Sequence, residues 1–237
     1  MRPVDGDDEL RRVTPALLRR ADRMCPRRLK HEYESGRKLN RHSDARFEVT
    51  NRVTEDARLA HAELGPPRSE AFVDPSDVEP EQRALYRAGA AGYLRMFGED
   101  AVVADDIGRS TDESDLGVRL SGTPGLAVKH ADGHAEVRVL RVGAPTSLLD
   151  DVDVKFTVLR ASEWAGATLD ITAVDLLDCR SVACSLRVDD ELPAARAWLA
   201  ERIATIETRA DRDKPRAGID CRGCTCIPGC PAVTRPS

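Results

Sequence analysis

Residues 117–143, GVRLSGTPGLAVKHADGHAEVRVLRVG, decide the fold class of this chain. Gly117–His130 is typical of a strand, apolar residues alternate along Glu136–Val142, and the Asp132-Gly133 pair between them is typical of a tight hairpin turn. The pattern therefore predicts two adjacent antiparallel strands, Val118–Val128 and Glu136–Val142.

Helical periodicity flanks this hairpin on both sides. Thr14-Pro15 is a strong helix start, and one amphipathic helix is predicted from there through Leu29, with its arginines opposite the apolar stripe. Further helices are predicted at Arg46–Leu64, Pro80–Phe97, Asp151–Ala165 and Glu191–Thr208, and further strands at Leu169–Leu177 and Ser181–Val188. This order predicts an α/β domain with a central mixed sheet flanked by helices.

The length of 237 residues suits one large domain, or one domain with a small appendage. No apolar run approaches the roughly 20 residues that a membrane helix needs. The start, MRPVDGDDEL, is acidic and lacks the apolar stretch of a secretory signal. The sequence therefore predicts a cytoplasmic protein without membrane contact.

Positive charge is concentrated near the start of a chain whose net charge is −5. From Arg11 to Arg46 there are 12 Arg or Lys residues against four acids. This excess indicates either a face that binds a polyanion such as DNA or a solvated helix face, and charge alone does not decide between them. The residues expected to contact phosphates are Arg19, Arg20, Arg23, Arg27 and Arg28.

Four of the seven cysteines lie within ten residues, at Cys221, Cys224, Cys226 and Cys230. In a reducing compartment such close thiols indicate a metal site rather than disulfides. A [4Fe–4S] cluster needs four thiolates, so C-x2-C-x5-C requires a fourth ligand, either Cys226 or a distant cysteine. A four-thiolate zinc site is the alternative. Cys179 and Cys184 lie on predicted apolar strands and are expected in the core.

A distant cysteine, Cys25, lies in the segment Arg23-Met24-Cys25-Pro26-Arg27-Arg28. A helix that begins Thr-Pro and leads into Cys-Pro-Arg, combined with a C-terminal C-x2-C-x5-C, resembles the iron–sulfur branch of the PD-(D/E)XK nucleases. That branch includes RecB-like and CRISPR-associated exonucleases.

The resemblance implies a restriction-endonuclease-like fold whose N- and C-termini are joined by a [4Fe–4S] cluster. The implied ligands are Cys25, Cys221, Cys224 and Cys230, with Cys226 left spare and zinc as the alternative metal. Residues 1–217 would form the nuclease-like domain with its basic N-terminal helix. Residues 218–237 would form a cysteine segment that packs with Cys25.

The active site of that family matches this chain only in part. The family places an Asp on one strand and acid-x-Lys on the next to hold Mg²⁺ or Mn²⁺, and a His on an upstream helix. His61 corresponds to the His, whereas the Asp position falls on Gly125. The acid-x-Lys positions fall on Val139 and Arg141 or, three residues earlier, on Glu136 and Arg138.

Other parts of the family pattern are missing. Arginine is almost never neutral, so it does not act as a general base. The Gln-x-x-x-Tyr motif expected on the following helix is absent. One literal Asp-x-Lys, Asp153-Val154-Lys155, falls at the start of a predicted helix rather than on a strand, and we interpret it as a coincidental match.

We therefore expect a DNA-binding or scaffolding accessory in DNA processing or repair that works with a helicase or an active nuclease. Catalysis at His61, Glu136, Arg138 and Arg141 is expected to be lost or impaired. One alternative is an active Mg²⁺- or Mn²⁺-dependent DNA exonuclease that uses other acids. A second alternative is a redox- or iron-sensing protein in which the cluster itself switches binding.

Overall fold

The computed structural model of this chain describes residues 10–35, 45–108, 110–122, 124–143 and 147–212. These residues form two compact units. Unit 1 comprises residues 10–35, 110–122 and 199–212, and unit 2 comprises the other described residues. The C-terminal segment predicted at residues 218–237 lies outside the described residues.

The described elements run in the following order along the chain: β1 (Arg11–Val13), α1 (Pro15–Arg20), α2 (Pro26–Ser35), α3 (Ala45–Ala60), α4 (Pro80–Phe97), β2 (Val102–Asp105), β3 (Ser110–Glu113), β4 (Val118–Ser121), β5 (Leu126–His130), β6 (Ala135–Arg141), α5 (Asp151–Ala165), β7 (Thr168–Asp175), β8 (Arg180–Arg187) and α6 (Val188–Arg212). The predicted α/β class with mixed sheet pairing and flanking helices is confirmed. The described residues form two sheets rather than one central sheet.

Unit 2 contains a five-stranded sheet in the order β2-β5-β6-β7-β8. β5 and β6 form the predicted antiparallel hairpin, in which Val128 lies opposite Glu136. Gly133 in the turn has a φ of 85°, a left-handed conformation that glycine adopts without strain. The predicted hairpin is therefore confirmed for the part of the first strand that lies in β5.

The next connection makes the sheet mixed, because β6 and β7 are parallel. A parallel pair needs a crossover, and α5 provides it. The predicted bounds of α5 are confirmed. Asp150 caps the helix and forms a reciprocal capping box with Asp153, which fixes the start of α5 at Asp151.

Helices α3 and α4 cover one face of this sheet. Their apolar residues pack against strand residues in one core cluster, which includes Val53, Tyr86, Ala90, Tyr93, Phe97, Leu126, Val128, Leu140 and Val174. α4 has the predicted bounds despite two internal glycines. A Cβ atom at Gly92 would lie 1.8 Å from the carbonyl oxygen of Leu176, so glycine permits this close approach of helix and chain.

The predicted strand Gly117–His130 is wrong as one element, because it divides into β4 and β5. Gly122 between them has a φ of 104°, and Pro124 lacks the amide hydrogen that a continuous strand would use. β4 belongs instead to the three-stranded sheet of unit 1, where it pairs in parallel with β1 and antiparallel with β3.

The predicted single helix from Thr14 through Leu29 is also wrong. Thr14 caps α1 as predicted, but α1 ends at Arg20 and α2 begins at Pro26. Proline lacks an amide hydrogen and disfavours the helical conformation at the residue before it, so the chain turns at Cys25.

Candidate metal centre and buried charged cluster

Cys25 lies at the turn between α1 and α2 in unit 1. Its side chain is half-buried, and its two neighbours in the sequence, Met24 and Pro26, are buried. Its carbonyl oxygen accepts a hydrogen bond from the amide of Leu29 at 2.8 Å, which fixes the backbone of Cys25 at the start of α2.

The C-terminal part of α6 packs against this turn. The guanidinium of Arg209 donates hydrogen bonds to the carbonyl oxygens of Ala21 and, at 3.2 Å, Met24. Arg202 donates to Asp22 at 2.9 Å, one residue after Ala21. The last described turns of the chain therefore lie beside the turn that carries Cys25.

The three C-terminal ligands of the predicted cluster, Cys221, Cys224 and Cys230, lie outside the described residues, as does Cys226. Within the described ranges, no group of three or more His, Cys, Asp or Glu side chains is placed to hold a metal ion. Cys221 follows Arg212 by nine residues. An extended chain of that length spans at most about 30 Å.

The five arginines expected to contact phosphates differ in exposure. Arg28 is 3% exposed and its Nε bonds Glu32 at 2.9 Å, while Arg20 bonds the other carboxylate oxygen of Glu32 at 3.2 Å. Arg19 is half-buried, and Arg23 and Arg27 are exposed. The single helix predicted through Leu29 would place Arg20, Arg23 and Arg27, which are spaced by three and four residues, on one face. That expectation is wrong, because the helix is interrupted between them.

The two cysteines predicted in the core, Cys179 and Cys184, lie in unit 2, and that prediction is wrong because neither is among its fully buried residues. Cys179 lies in the turn between β7 and β8 rather than on a strand, with a φ of 50°, and Cys184 lies on β8. Both side chains are half-buried.

A buried charged cluster forms around Arg138 in unit 2. Arg138 is 1% exposed, and each nitrogen of its guanidinium has an oxygen partner. Nε lies 2.9 Å from Glu136 Oε2, Nη2 lies 2.6 Å from Asp100 Oδ2, and Nη1 lies 3.3 Å from the hydroxyl of Tyr93. The guanidinium also lies 4.0 Å from the centre of the Phe97 ring, a favourable cation–π contact.

His61 is fully buried beside this cluster, following the end of α3. Its ring meets Tyr93 edge-on at a centroid distance of 6.0 Å, and its Nδ1 lies 3.3 Å from the carbonyl oxygen of Gly65. Its Nε2 has no hydrogen-bond partner in the described part of the chain. Burial lowers the pKa of His61, and the positive charge of Arg138 lowers it further.

Glu136 connects this cluster to His130, whose Nε2 lies 3.1 Å from Glu136 Oε2. The ring of His130 lies 5.8 Å from that of His134, and His134 Nε2 lies 2.7 Å from Oδ2 of Asp170 on β7. Burial alone would raise the pKa of Glu136, but attraction to Arg138 and hydrogen bonds outweigh it, and the pKa is lowered. Glu136 is therefore held as a carboxylate.

The structure brings His61, Glu136 and Arg138 into one cluster, but it places Arg141 elsewhere. Successive strand residues point to opposite faces, so Arg141 lies on the face of the sheet opposite to Arg138. There its guanidinium bonds Asp153, the first residue of the Asp-x-Lys match. Asp153 thus serves the cap of α5 and an ion pair with Arg141.

The Asp position of the family, Gly125, has no room for a side chain. A Cβ atom there would lie 2.3 Å from the carbonyl oxygen of Arg138. The close approach of the backbones of β5 and β6 at this point therefore requires glycine.

Sequence reasoning missed Asp100, Tyr93, His130, His134 and Asp170. The strand register supplies the signal for two of them, Asp170 and His130, since Glu136 lies opposite both Val128 and Asp170, and His130 shares the face of Val128. Asp100 follows α4, and only the tertiary packing of that helix brings it to Arg138.

No described helix has the length and apolarity to cross a membrane. Comparison with protein-family models and with curated proteins gives no match to this chain.

Proposed function

We propose that this chain is an iron–sulfur protein on a PD-(D/E)XK nuclease-like fold and serves as a DNA-binding or scaffolding accessory without effective catalysis. Cys25, Cys221, Cys224 and Cys230 hold the [4Fe–4S] cluster. The observation that carries the proposal is the packing of α6 against the Cys25 turn, because it brings the chain that leads to the other three cysteines beside the first.

The arrangement of unit 2 supports a restriction-endonuclease-like fold. The resemblance calls for a strand, a turn and a second strand, followed by a helix. β5, β6 and α5 have this order, and the parallel return to β7 continues a mixed sheet with helices on its faces.

The geometry of the charged cluster supports the loss of catalysis. Gly125 offers no carboxylate, and neither Arg138 nor Arg141 replaces the lysine as a proton acceptor. Both carboxylates at Arg138 are already engaged by the guanidinium. Such a protein would bring DNA to a partner, and a helicase or an active nuclease fits that role.

Metal analysis after anaerobic purification tests the cluster. We expect brown protein with about four irons per chain, because four thiolates hold one cubane. Cys25→Ser should lose the colour and the iron, whereas the matched control Cys184→Ser, on β8, should keep both. Stoichiometric zinc without iron in anaerobically prepared wild-type protein would overturn the cluster assignment.

An active metal-dependent DNA exonuclease is the second candidate, favoured by two carboxylates, Glu136 and Asp100, that meet at Arg138 with His61 buried beside them. A cleavage assay with Mg²⁺ and Mn²⁺ on single-stranded and duplex DNA separates the two candidates. If the chain is an accessory without catalysis, DNA cleavage should stay at the background level. Cutting by wild-type protein that disappears in Glu136→Ala would establish the enzyme instead.

A further inference from the structure

The guanidinium of Arg138 occupies the point where two carboxylates of unit 2 converge. It bonds one oxygen of Glu136 and one of Asp100, at 2.9 and 2.6 Å, and the Tyr93 hydroxyl on a third side. Charge-assisted bonds of this kind are the strong ones among protein hydrogen bonds. A permanent cation therefore already bonds both of these acids.

The divalent metal that the nuclease resemblance implies does not fit this arrangement. Mg²⁺ needs oxygen ligands at about 2.0–2.1 Å in nearly octahedral geometry. Here the guanidinium lies between the two carboxylates, and Gly125 supplies no third one. The described residues accordingly contain no converging set of metal ligands.

We propose that the Arg138 guanidinium is a built-in substitute for a divalent cation, so that Mg²⁺ or Mn²⁺ enters this cluster only when the guanidinium is removed. Glu136 and Asp100 then form a latent cation site. This inference deepens the proposed loss of catalysis, but it depends on contacts within unit 2 alone and is independent of the cysteine cluster.

The surroundings of Arg138 keep this cation in place. Burial by itself would lower the pKa of Arg138, but the interactions with Tyr93 and Glu136 outweigh it and the pKa is raised. The Phe97 ring covers the guanidinium. Removing one member of a buried charge pair leaves the other uncompensated, so loss of Arg138 leaves the buried Glu136, and beside it the partly exposed Asp100, without their shared cation.

Thermal unfolding of Arg138→Met, in EDTA and in Mn²⁺, tests this inference, because methionine keeps the apolar stem and removes the charge. We expect the same Tm for the wild type in both buffers. Arg138→Met should melt about 10 °C lower in EDTA and recover several degrees in Mn²⁺. Mn²⁺ electron paramagnetic resonance should count one bound ion in the variant and none at this cluster in the wild type.

Two further variants locate the ion. Arg138→Lys keeps a tethered cation and should show no Mn²⁺ response, and Arg138→Met with Asp100→Asn should lose the response of the single variant. An Arg138→Met protein that folds but binds no Mn²⁺ overturns the inference, and so does one that fails to fold in both buffers. The iron content measured beside these experiments tests the proposed function separately.

Discussion

His61 is a neutral imidazole buried beside a permanent positive charge. Its pKa is lowered, first by burial and then by Arg138, so protons bind His61 more weakly in the folded protein than in the unfolded chain. Below about pH 6.5, the ordinary value for histidine, the unfolded chain binds the proton first. Folding stability from His61 is therefore full above that pH and decreases as the pH falls toward the lowered value.

Urea denaturation of the wild type and of His61→Gln between about pH 5 and pH 8 measures this effect. The wild type should lose more stability than His61→Gln as the pH falls through this range. The control is His31→Gln, which replaces an exposed histidine and should follow the wild type. Parallel pH profiles for wild type and His61→Gln would contradict the prediction.

At the residue scale, part of the charged cluster could be predicted from the sequence. Glu136 and Arg138 are two residues apart on a strand, so they share a face, and the resemblance points to His61. Asp100 could not be predicted, because no periodicity connects a residue after α4 to a distant strand. Gly125 stands in the sequence where the family has an acid. Only the packed structure shows that a side chain at this position would clash with the backbone of Arg138.

At the scale of single elements, the two glycines of α4 differ in what they touch. A Cβ atom at Gly92 would lie 1.8 Å from the backbone oxygen of Leu176, whereas one at Gly89 would lie 3.1 Å from a methyl group of Val142. A backbone carbonyl held in place cannot yield as a methyl group can.

Gly92→Ala should therefore lower the free energy of unfolding by about 3 kcal/mol or more, because α4 must move away from the end of β7. Gly89→Ala should stay within about 1 kcal/mol of the wild type, since the better helix propensity of alanine offsets the tighter contact. Urea denaturation of the two matched variants measures both values. Equal effects would show that the approach at Gly92 does not constrain the helix.

Element prediction succeeded where local signals agreed with packing. The bounds of α4 and α5 follow from Pro80 at a helix start and from the Asp150 cap. It failed at Pro26 and at Gly122, where apolar spacing continues through residues that interrupt a helix or a strand. Periodicity reports which residues are buried, and it does not report whether one element or two bury them.

At the scale of the whole molecule, the proposed DNA binding would depend on charges that remain exposed. Arg23 and Arg27 are exposed in unit 1, whereas Arg20 and Arg28 both bond Glu32. Because phosphate binding releases counterions, the affinity for DNA should fall steeply as the salt concentration rises.

Reversing both exposed charges, Arg23→Glu with Arg27→Glu, should weaken DNA binding broadly across sequences. It should also make the log–log salt slope shallower by about 1 for each phosphate that the variant no longer neutralises. Fluorescence anisotropy between about 50 and 200 mM salt measures this. The matched control is Arg52→Glu with Arg58→Glu on α3, which changes the charge equally in unit 2. Absence of DNA binding by the wild type at about 50 mM salt would contradict the prediction.

The assembly of unit 1 from three distant segments determines when it can fold during synthesis. The five described strands of the unit 2 sheet all precede Val188, so they leave the ribosome before α6 does. The Cys25 turn leaves the ribosome early, but Arg209, which bonds the carbonyl oxygen of Ala21, follows that residue by 188 positions. Until α6 is complete, the turn that carries Cys25 lacks the helix whose Arg209 binds the carbonyl oxygens of Ala21 and Met24 in the folded unit.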